Sequence, residues 1–245
     1  MIIYMDVYAM KKTWICLMAL MSSSFTVSAG EFSLSKNMVH FEENAQQRDV
    51  VMVKSHLPHQ NVYFSTRVRE VLSPEKGMKS PYAEYDSPFE AGLFVTPNKA
   101  VITPREGQVP ISIVNTNTNL TKERVYRVDV KPSIPPIPSS GKSEARLKVL
   151  VAYDFLVFVQ PSVPTLDYQF RFDPQGQFTF INQGNTHVML KNGKQCNAKQ
   201  ECTSLNGGRV FAGSEASVSV ADGTVSVGYD IVLRGQSKDY VVFEK

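Results

Sequence analysis

Four histidines are the residues of this sequence with the plainest potential for metal chemistry: His40, His56, His59 and His187. Only the stretch HLPH brings two of them together, and an H-x-x-H pair across a proline could meet copper or zinc from a loop. No cysteine or paired carboxylate completes a ligand set, so surface-loop histidines are the favoured interpretation. We expect no cofactor, although a metal-binding β sandwich stays an alternative.

Nucleophilic catalysis has little support in the serines. An activated serine needs a base beside its hydroxyl, and neither a G-x-S-x-G stretch nor a Ser-His-Asp grouping can be singled out in the sequence. We therefore predict that the protein is not an enzyme.

The amino-terminal residues have the pattern of a secretion signal. Lys11 and Lys12 precede an apolar run at 13–21, and VSA at 27–29 offers small residues for cleavage before Gly30. The run is shorter than the roughly 20 apolar residues that a bilayer span needs, so no permanent membrane anchor is expected. Translation could start at Met1 or at Met10. The sequence thus predicts a cleaved signal peptide over 1–29 and export.

Export agrees with the use of cysteine. Cys16 leaves with the predicted signal, and Cys196 and Cys202 remain as an even number in an oxidising compartment. The five residues NAKQE between them match neither C-x-x-C nor a zinc spacing, which makes a redox or metal role less favoured. We predict a disulfide that staples a hairpin or loop.

Composition bounds the class of protein. The 245 residues are 42% hydrophobic and 20% charged, which is enough apolar surface to build a core. The formal net charge of +3 is small and evenly spread, so we expect neither nucleic acid nor an anionic membrane as a partner.

Short segments of period two recur between turn signals, which indicates an all-β protein. The proline-containing stretch QPSVPTLD at 160–167 separates two series of them, so two sandwiches fit the length. The predicted strands of the first series are 32–41, 50–54, 61–71, 94–95, 109–114, 124–130 and 146–159. Those of the second are 167–172, 177–181, 187–191, 216–220, 225–233 and 240–243.

The predicted strand 146–159 has two unlike halves. In the first half, Leu147, Val149, Val151 and Tyr153 fall on one face, whereas Arg146, Lys148 and Asp154 fall on the other. In the second half, 155–159 is apolar on both faces and fits an interior strand. The strand therefore extends toward solvent with an apolar face, although an unpaired apolar edge recruits other strands.

Several stretches resemble the periplasmic fimbrial chaperones of the chaperone-usher pathway. They are YRVDVKPSIPP at 126–136, a variable loop, an alternating strand and VFVQP at 157–161. Two further stretches resemble the alternate branch that serves colonisation-factor and common-pilus fimbriae, namely VREVLSPEKG followed by YAEYDSPFEAGLFVTPNKAVI, and INQGNTHVMLKNGKQC. The resemblance spans almost the whole chain after residue 29.

The resemblance implies a boomerang of two immunoglobulin-like β-sandwich domains, with an amino-terminal domain over 30–161 and a carboxy-terminal domain over 162–245. It also implies a periplasmic location, with fimbrial subunits and an outer-membrane usher as partners. A chaperone of this kind lends a strand to an incomplete subunit by β-augmentation. The subunit-binding strand would carry Leu147, Val149, Val151 and Tyr153. Strand alternation alone leaves open that these residues pack in the protein's own core.

One feature of the family does not carry over. Its best-known members hold the subunit's terminal carboxylate with an Arg and a Lys in the cleft between domains, and the resemblance places Met38 and Leu156 at those positions. Since a carboxylate in a partly dry cleft favours a cation, we predict Arg127 as the anchor, with Lys36 as a second candidate.

A fimbrial structural subunit or adhesin is the main alternative, since it is also secreted, β-rich and disulfide-bearing. Such a subunit should present an alternating donor segment directly after its signal. Residues 30–37 are short and fit the first sandwich instead, and the predicted lending strand is internal.

Overall fold

The computed structural model describes residues 30–134 and 150–245. Most of these residues lie in β-strands. Two short helices interrupt the first series of strands, a 3₁₀ helix at Pro74–Lys79 and an α-helix at Pro88–Ala91. The first series is β1 (Phe32–Leu34), β2 (Met38–Glu42), β3 (Arg48–Ser55), β4 (Val62–Val71), β5 (Tyr82–Ala83), β6 (Leu93–Thr96), β7 (Lys99–Ile102), β8 (Gln108–Asn115), β9 (Arg124–Ser133) and β10 (Tyr153–Gln160). The second series is β11 (Tyr168–Phe172), β12 (Gln177–Asn182), β13 (Val188–Asn197), β14 (Cys202–Ser204), β15 (Gly208–Val210), β16 (Glu215–Ser219), β17 (Thr224–Leu233) and β18 (Gln236–Glu244).

The first series folds into two sheets that enclose one hydrophobic core. Sheet A has the order β1-β3-β8-β6, and sheet B has the order β2-β10-β9-β4-β5, with β7 also paired to β4. Alternation decides which side chains enter the core: Val39 and Phe41 of β2 are buried, whereas Met38 and His40 on the other face are exposed. This pairing of two sheets over one core is a β sandwich.

The second series forms a separate sandwich with its own core. Sheet C has the order β11-β12-β16, and sheet D has the order β14-β13-β17-β18, with β15 also paired to β13. Phe178 and Phe180 of sheet C pack against residues of sheet D such as Tyr229 and Phe243. The predicted all-β fold of two sandwiches is confirmed, whereas the domain boundaries at 29/30 and 161/162 stay predictions.

The predicted disulfide is confirmed in the second sandwich. Cys196 on β13 and Cys202 on β14 are cross-strand partners, and their sulphurs are 2.05 Å apart. The bond therefore closes a hairpin, as the spacing of the two cysteines indicates.

The predicted strand over 32–41 is two strands in the structure. β1 pairs with β3 in sheet A, whereas β2 pairs with β10 in sheet B. The chain passes from one sheet to the other around Ser35 to Asn37, and the alternation on both sides of this crossing hides the break from sequence reasoning. The short strands β5, β7, β14 and β15 were not predicted either, because two to four residues are too few to show a period.

The strand that ends the first sandwich begins later than predicted. β10 starts at Tyr153, and the described residues 150–152 before it are not in a strand. Residues 146–149 of the predicted strand lie outside the described residues, as does the predicted signal peptide. In residues 30–134 and 150–245, no helix has the length and apolar character to cross a bilayer.

Candidate functional site

β10 lies inside sheet B, with a parallel neighbour on one side and an antiparallel neighbour on the other. Its residues pair with β2 from Leu156↔Met38 to Gln160↔Glu42, and with β9 from Tyr153↔Val130 to Val159↔Arg124. Residues Val157 to Gln160 are buried on both faces. The interior half of the predicted strand is thus confirmed.

Beyond Tyr153, the described residues no longer pair with the edge of β9 that β10 occupies. Lys131 and Ser133 of β9 pair with β4 on one side, and no strand within the described residues pairs with them on the other. A strand that continued from β10 toward lower residue numbers would run along this edge. The unpaired N–H and C=O groups of such an edge are a template for β-augmentation.

The four residues predicted for the lending strand are not equivalent. Val151 is 41% exposed, whereas Tyr153 is half-buried and packs on the first core with its ring 5.4 Å from that of Phe32. Leu147 and Val149 lie outside the described residues. Tyr153 therefore contributes to the protein's own core, and Val151 is the member that the structure shows facing solvent.

A row of four side chains crosses the outer face of sheet B, the face opposite the first core. Strand register aligns Met38 with Leu156, Leu156 with Arg127, and Arg127 with Arg69. We call these four residues the cross-sheet row. The structure thus places the predicted anchor Arg127 directly beside the apolar pair Met38 and Leu156.

The arginines of the row already have acidic partners. Arg127 is buried and its Nη1 lies 2.8 Å from Asp154 Oδ2 and 2.6 Å from Met78 Sδ. Arg69 pairs with Asp129 at 2.8 Å. A carboxylate that binds Arg127 would share this guanidinium with Asp154, whose side chain is 40% exposed.

Lys36 lies apart from the row. It precedes β2, and its Nζ lies 2.6 Å from Asp49 Oδ1 on β3, in sheet A. The structure therefore does not bring the two predicted anchors together, because the chain changes sheets between Lys36 and Met38.

Arg209 is the cation beside the row that sequence reasoning missed. It lies on β15 of the second sandwich, with its guanidinium 4.5 Å from the ring centre of Phe158 and Nη2 3.2 Å from Met38 Sδ. Among the described residues it has no ion pair, and its buried Nε has no hydrogen-bond partner. Burial lowers the pKa of Arg209 below the usual arginine range. No pattern in the sequence links position 209 to position 38, since the contact depends on how the two sandwiches pack.

An apolar cluster joins the two sandwiches next to this cation. Phe158, Val71 and Val125 of the first sandwich pack with Phe211 of the second, and the rings of Phe158 and Phe211 are stacked at 6.5 Å. Phe158 is fully buried. We call these four residues the interface cluster.

A buried carboxylate lies beside the interface cluster. Glu123 Oε2 accepts hydrogen bonds from Thr186 at 2.8 Å and Gln160 at 3.2 Å, and lies 2.6 Å from His187 Nδ1. Burial alone raises the pKa of Glu123, but the interactions with His187, Thr186 and Gln160 outweigh it and hold the pKa below its ordinary value. The carboxylate thus connects the start of β9 to the second sandwich.

The four histidines lie in two different surroundings. His56 and His59 are exposed, while His40 and His187 approach each other at 5.8 Å around Phe158. Within the described residues, no group of three or more His, Cys, Asp or Glu is arranged to hold a metal ion.

The site combines an edge of β9 that no strand of the described residues covers with two cations beside the middle of β10. The edge can pair with an extended chain through main-chain hydrogen bonds, and a desolvated guanidinium can bind a carboxylate through charge-assisted ones.

Comparison with solved structures places this geometry in a known class of fold. The chain is similar to the class 5 fimbriae chaperone CfaA, with 17% identity and a TM-score of 0.67 over 87% of this chain and 98% of that one. It is also similar to a chain of the CsuC–CsuE chaperone–tip adhesion subunit complex from the archaic Csu pili of Acinetobacter baumannii, with 15% identity and a TM-score of 0.52 over 86% and 97% of the two chains. A chain of the SafA pilin–SafB chaperone complex of Salmonella enterica gives 11% identity and a TM-score of 0.55 over 89% and 98%.

These likenesses show that residues of both sandwiches share the two-sandwich fold of fimbrial chaperones. No family model matches the chain, and no curated protein matches it either. At these identities the likeness concerns the fold, so the activity is argued from the site.

Proposed function

We propose that this protein is a periplasmic chaperone of fimbrial subunits, which binds an incomplete subunit by lending it a strand and delivers it to an outer-membrane usher. The observation that carries the proposal is the edge of β9 beyond Tyr153, which no strand of the described residues covers, in a chain with the fold of the fimbriae chaperone CfaA. The lent residues are Leu147, Val149 and Val151. Tyr153 joins them to the first core, where it packs on Phe32.

The energetics fit a partner that is held and then released. Each aliphatic side chain that the subunit buries contributes about 1.5–3 kcal/mol before ordering costs. Main-chain hydrogen bonds along this edge of β9 fix the register of the paired strand. A replacement strand that makes the same contacts can therefore displace the chaperone.

Co-expression with fimbrial subunits tests the proposal. Changing Leu147, Val149 and Val151 together to Ser should abolish recovery of the subunit in a periplasmic pull-down, while circular dichroism of the free protein stays unchanged. Val163 and Val242 are 72% and 55% exposed, so Val163→Ser with Val242→Ser is a matched control that should not reduce recovery. Full recovery with the triple variant would refute the lending role, and polymerisation of the purified protein would favour a structural subunit.

We further propose that Arg127 and Arg209 bind the terminal carboxylate of the subunit from the two sides of Met38 and Leu156. Arg127 belongs to the cross-sheet row, and Arg209 reaches Met38 from the second sandwich. Arg209 needs to surrender no acidic partner among the described residues, so it is the stronger candidate of the two.

Single substitutions rank the candidates. A hydrogen bond to a charged group is worth about 1.5–3 kcal/mol, so Arg209→Ala should weaken subunit binding by roughly tenfold or more. Arg127→Ala should have a smaller effect, because Asp154 already neutralises part of that charge. Lys36→Ala is the matched control, since Lys36 pairs with Asp49 in sheet A. Equal affinities for the parent and Arg209→Ala, measured by competition, would exclude Arg209 as an anchor.

A further inference from the structure

Two of the four methionines among the described residues have their sulphur against an arginine. Met78 Sδ lies 2.6 Å from Arg127 Nη1, and Met38 Sδ lies 3.2 Å from Arg209 Nη2. Met78 is 77% exposed and Met38 is 38% exposed. The other two, Met52 and Met189, are only partly exposed and have no such contact among the described residues.

The chemistry of the thioether makes these contacts weak. A thioether sulphur is a poor hydrogen-bond acceptor, whereas a guanidinium is a strong donor. Oxidation to the sulfoxide replaces the sulphur with a polar S=O group. In both pairs, the new oxygen would form beside an N–H that lacks a strong acceptor in that direction.

We propose that Met78 and Met38 form a reversible oxidation site for two-electron oxygen donors such as hydrogen peroxide. The sulfoxide oxygen of Met78 then accepts a hydrogen bond from Arg127, and that of Met38 accepts one from Arg209. The effect on partner binding rests on the proposed function, whereas the oxidation and the pairing do not.

The reaction balances without any group from the protein. The sulphur lone pair attacks one oxygen of hydrogen peroxide, an S–O bond forms and the O–O bond breaks. Proton transfer to the leaving hydroxide yields one water. The thioether loses two electrons and the peroxide gains them. A methionine sulfoxide reductase reverses the change with a dithiol as reductant.

Oxidation would give Arg127 and Arg209 a hydrogen-bond acceptor within the protein. Arg209 has no ion pair among the described residues, so a new internal acceptor would compete directly with an external carboxylate. The site would thereby bind anionic partners less well under oxidising stress and recover on repair.

Peptide mapping tests the oxidation itself. The purified protein is treated with graded hydrogen peroxide, digested and analysed by mass spectrometry. Met78 and Met38 should oxidise at least about fivefold faster than Met52 and Met189. Equal rates at all four positions would overturn the proposal.

Repair kinetics test the pairing with arginine in the absence of any partner. Sulfoxides held by Arg127 and Arg209 should be reduced by methionine sulfoxide reductase about threefold or more slowly in the parent than in Arg127→Ala and Arg209→Ala, respectively. A repair rate that is the same in parent and variants would overturn the pairing.

Subunit capture tests the consequence for partner binding. The quantity measured is the amount of subunit captured after peroxide treatment divided by the amount captured without it. The ratio should fall about fivefold in the parent, return to one after repair, and stay near one in Met38→Leu with Met78→Leu. Met52→Leu with Met189→Leu is the matched control and should respond as the parent does. A parent that captures no subunit before oxidation would refute the proposed function, while mapping and repair still decide the oxidation site. Equal capture by the parent with and without selective oxidation of Met38 and Met78 would overturn the proposed competition between sulfoxide and carboxylate.

Discussion

Arg127 and Arg209 differ in what surrounds their guanidinium groups. Arg127 was chosen from the sequence as a cation suited to a carboxylate, and the antiparallel register places it opposite Leu156. The sequence could not reveal the ion pair between Arg127 and Asp154, because this pair depends on how side chains are arranged on the outer face of sheet B. Arg209 was beyond sequence reasoning altogether, since its contact with Met38 spans 171 positions.

Glu123 carries a prediction at the same scale. Its folded-state pKa lies below the ordinary value of 4.5, so ionisation stabilises the folded protein above that pH, and this stabilisation is lost as the pH falls through the folded-state pKa. Glu123→Gln should cost about 2–3 kcal/mol at pH 7, because a neutral acceptor replaces the carboxylate beside His187.

Thermal or urea unfolding as a function of pH provides the measurement. The difference between parent and Glu123→Gln should shrink as the pH falls below 4.5. Glu244→Gln, at an exposed position of β18, is the control and should leave the pH dependence as in the parent. A constant difference from pH 7 to pH 3 would show that ionisation of Glu123 does not contribute.

At the scale of elements, strand alternation predicted most of β4, β9 and β17, found only the first part of β13, whose register shifts after Lys191, and failed where the chain changes partners. β4, β9 and β17 each have ten residues, and such lengths carry a clear period. The break between β1 and β2 was missed because each flank alternates, although the core positions change from 32 and 34 to 39 and 41 across the break. The start of β10 was placed too early among the described residues, because an alternating segment forms a strand only where a partner strand lies beside it.

The turn after the helix Pro88–Ala91 gives a prediction about an element boundary. Gly92 has a φ of +71°, and a Cβ at this position would lie 2.3 Å from Oδ1 of the buried Asn117. Asn117 itself donates a hydrogen bond to the carbonyl of Gly92 at 2.7 Å. Gly92→Ala should therefore destabilise the protein by about 2–4 kcal/mol, through both backbone strain and the clash.

A second glycine separates the two causes. Gly107 has a φ of +68° with nothing within 4 Å of its Cβ position, so Gly107→Ala should cost only about 1 kcal/mol. Urea unfolding of both variants measures the difference. Equal losses would mean that the close approach of Asn117 has no energetic weight.

At the scale of the whole molecule, the interface cluster, Glu123 and an ion pair between Arg234 and Glu42 at 3.3 Å connect the two sandwiches. Phe211 is the second sandwich's side chain in that cluster, so Phe211→Ala should lower the free energy of unfolding by about 3 kcal/mol and speed proteolysis in the segment between β10 and β11. Phe170→Ala, which removes a 43% exposed ring within the second sandwich, serves as the control. Cleavage at the same rate in Phe211→Ala and parent would show that this ring does not govern the junction.

The contact between Met38 and Arg209 spans the two sandwiches, so the position of the Arg209 charge depends on the segment that links them. Met38 lies on β2 and Arg209 lies on β15, so a residue added to the segment 161–167 would shift the Arg209 charge relative to Met38 without altering either core. A subunit tail that is one residue shorter or longer would then place its terminal carboxylate away from Arg209. Under the proposed function, the segment 161–167 would therefore decide which length of subunit tail reaches Arg209.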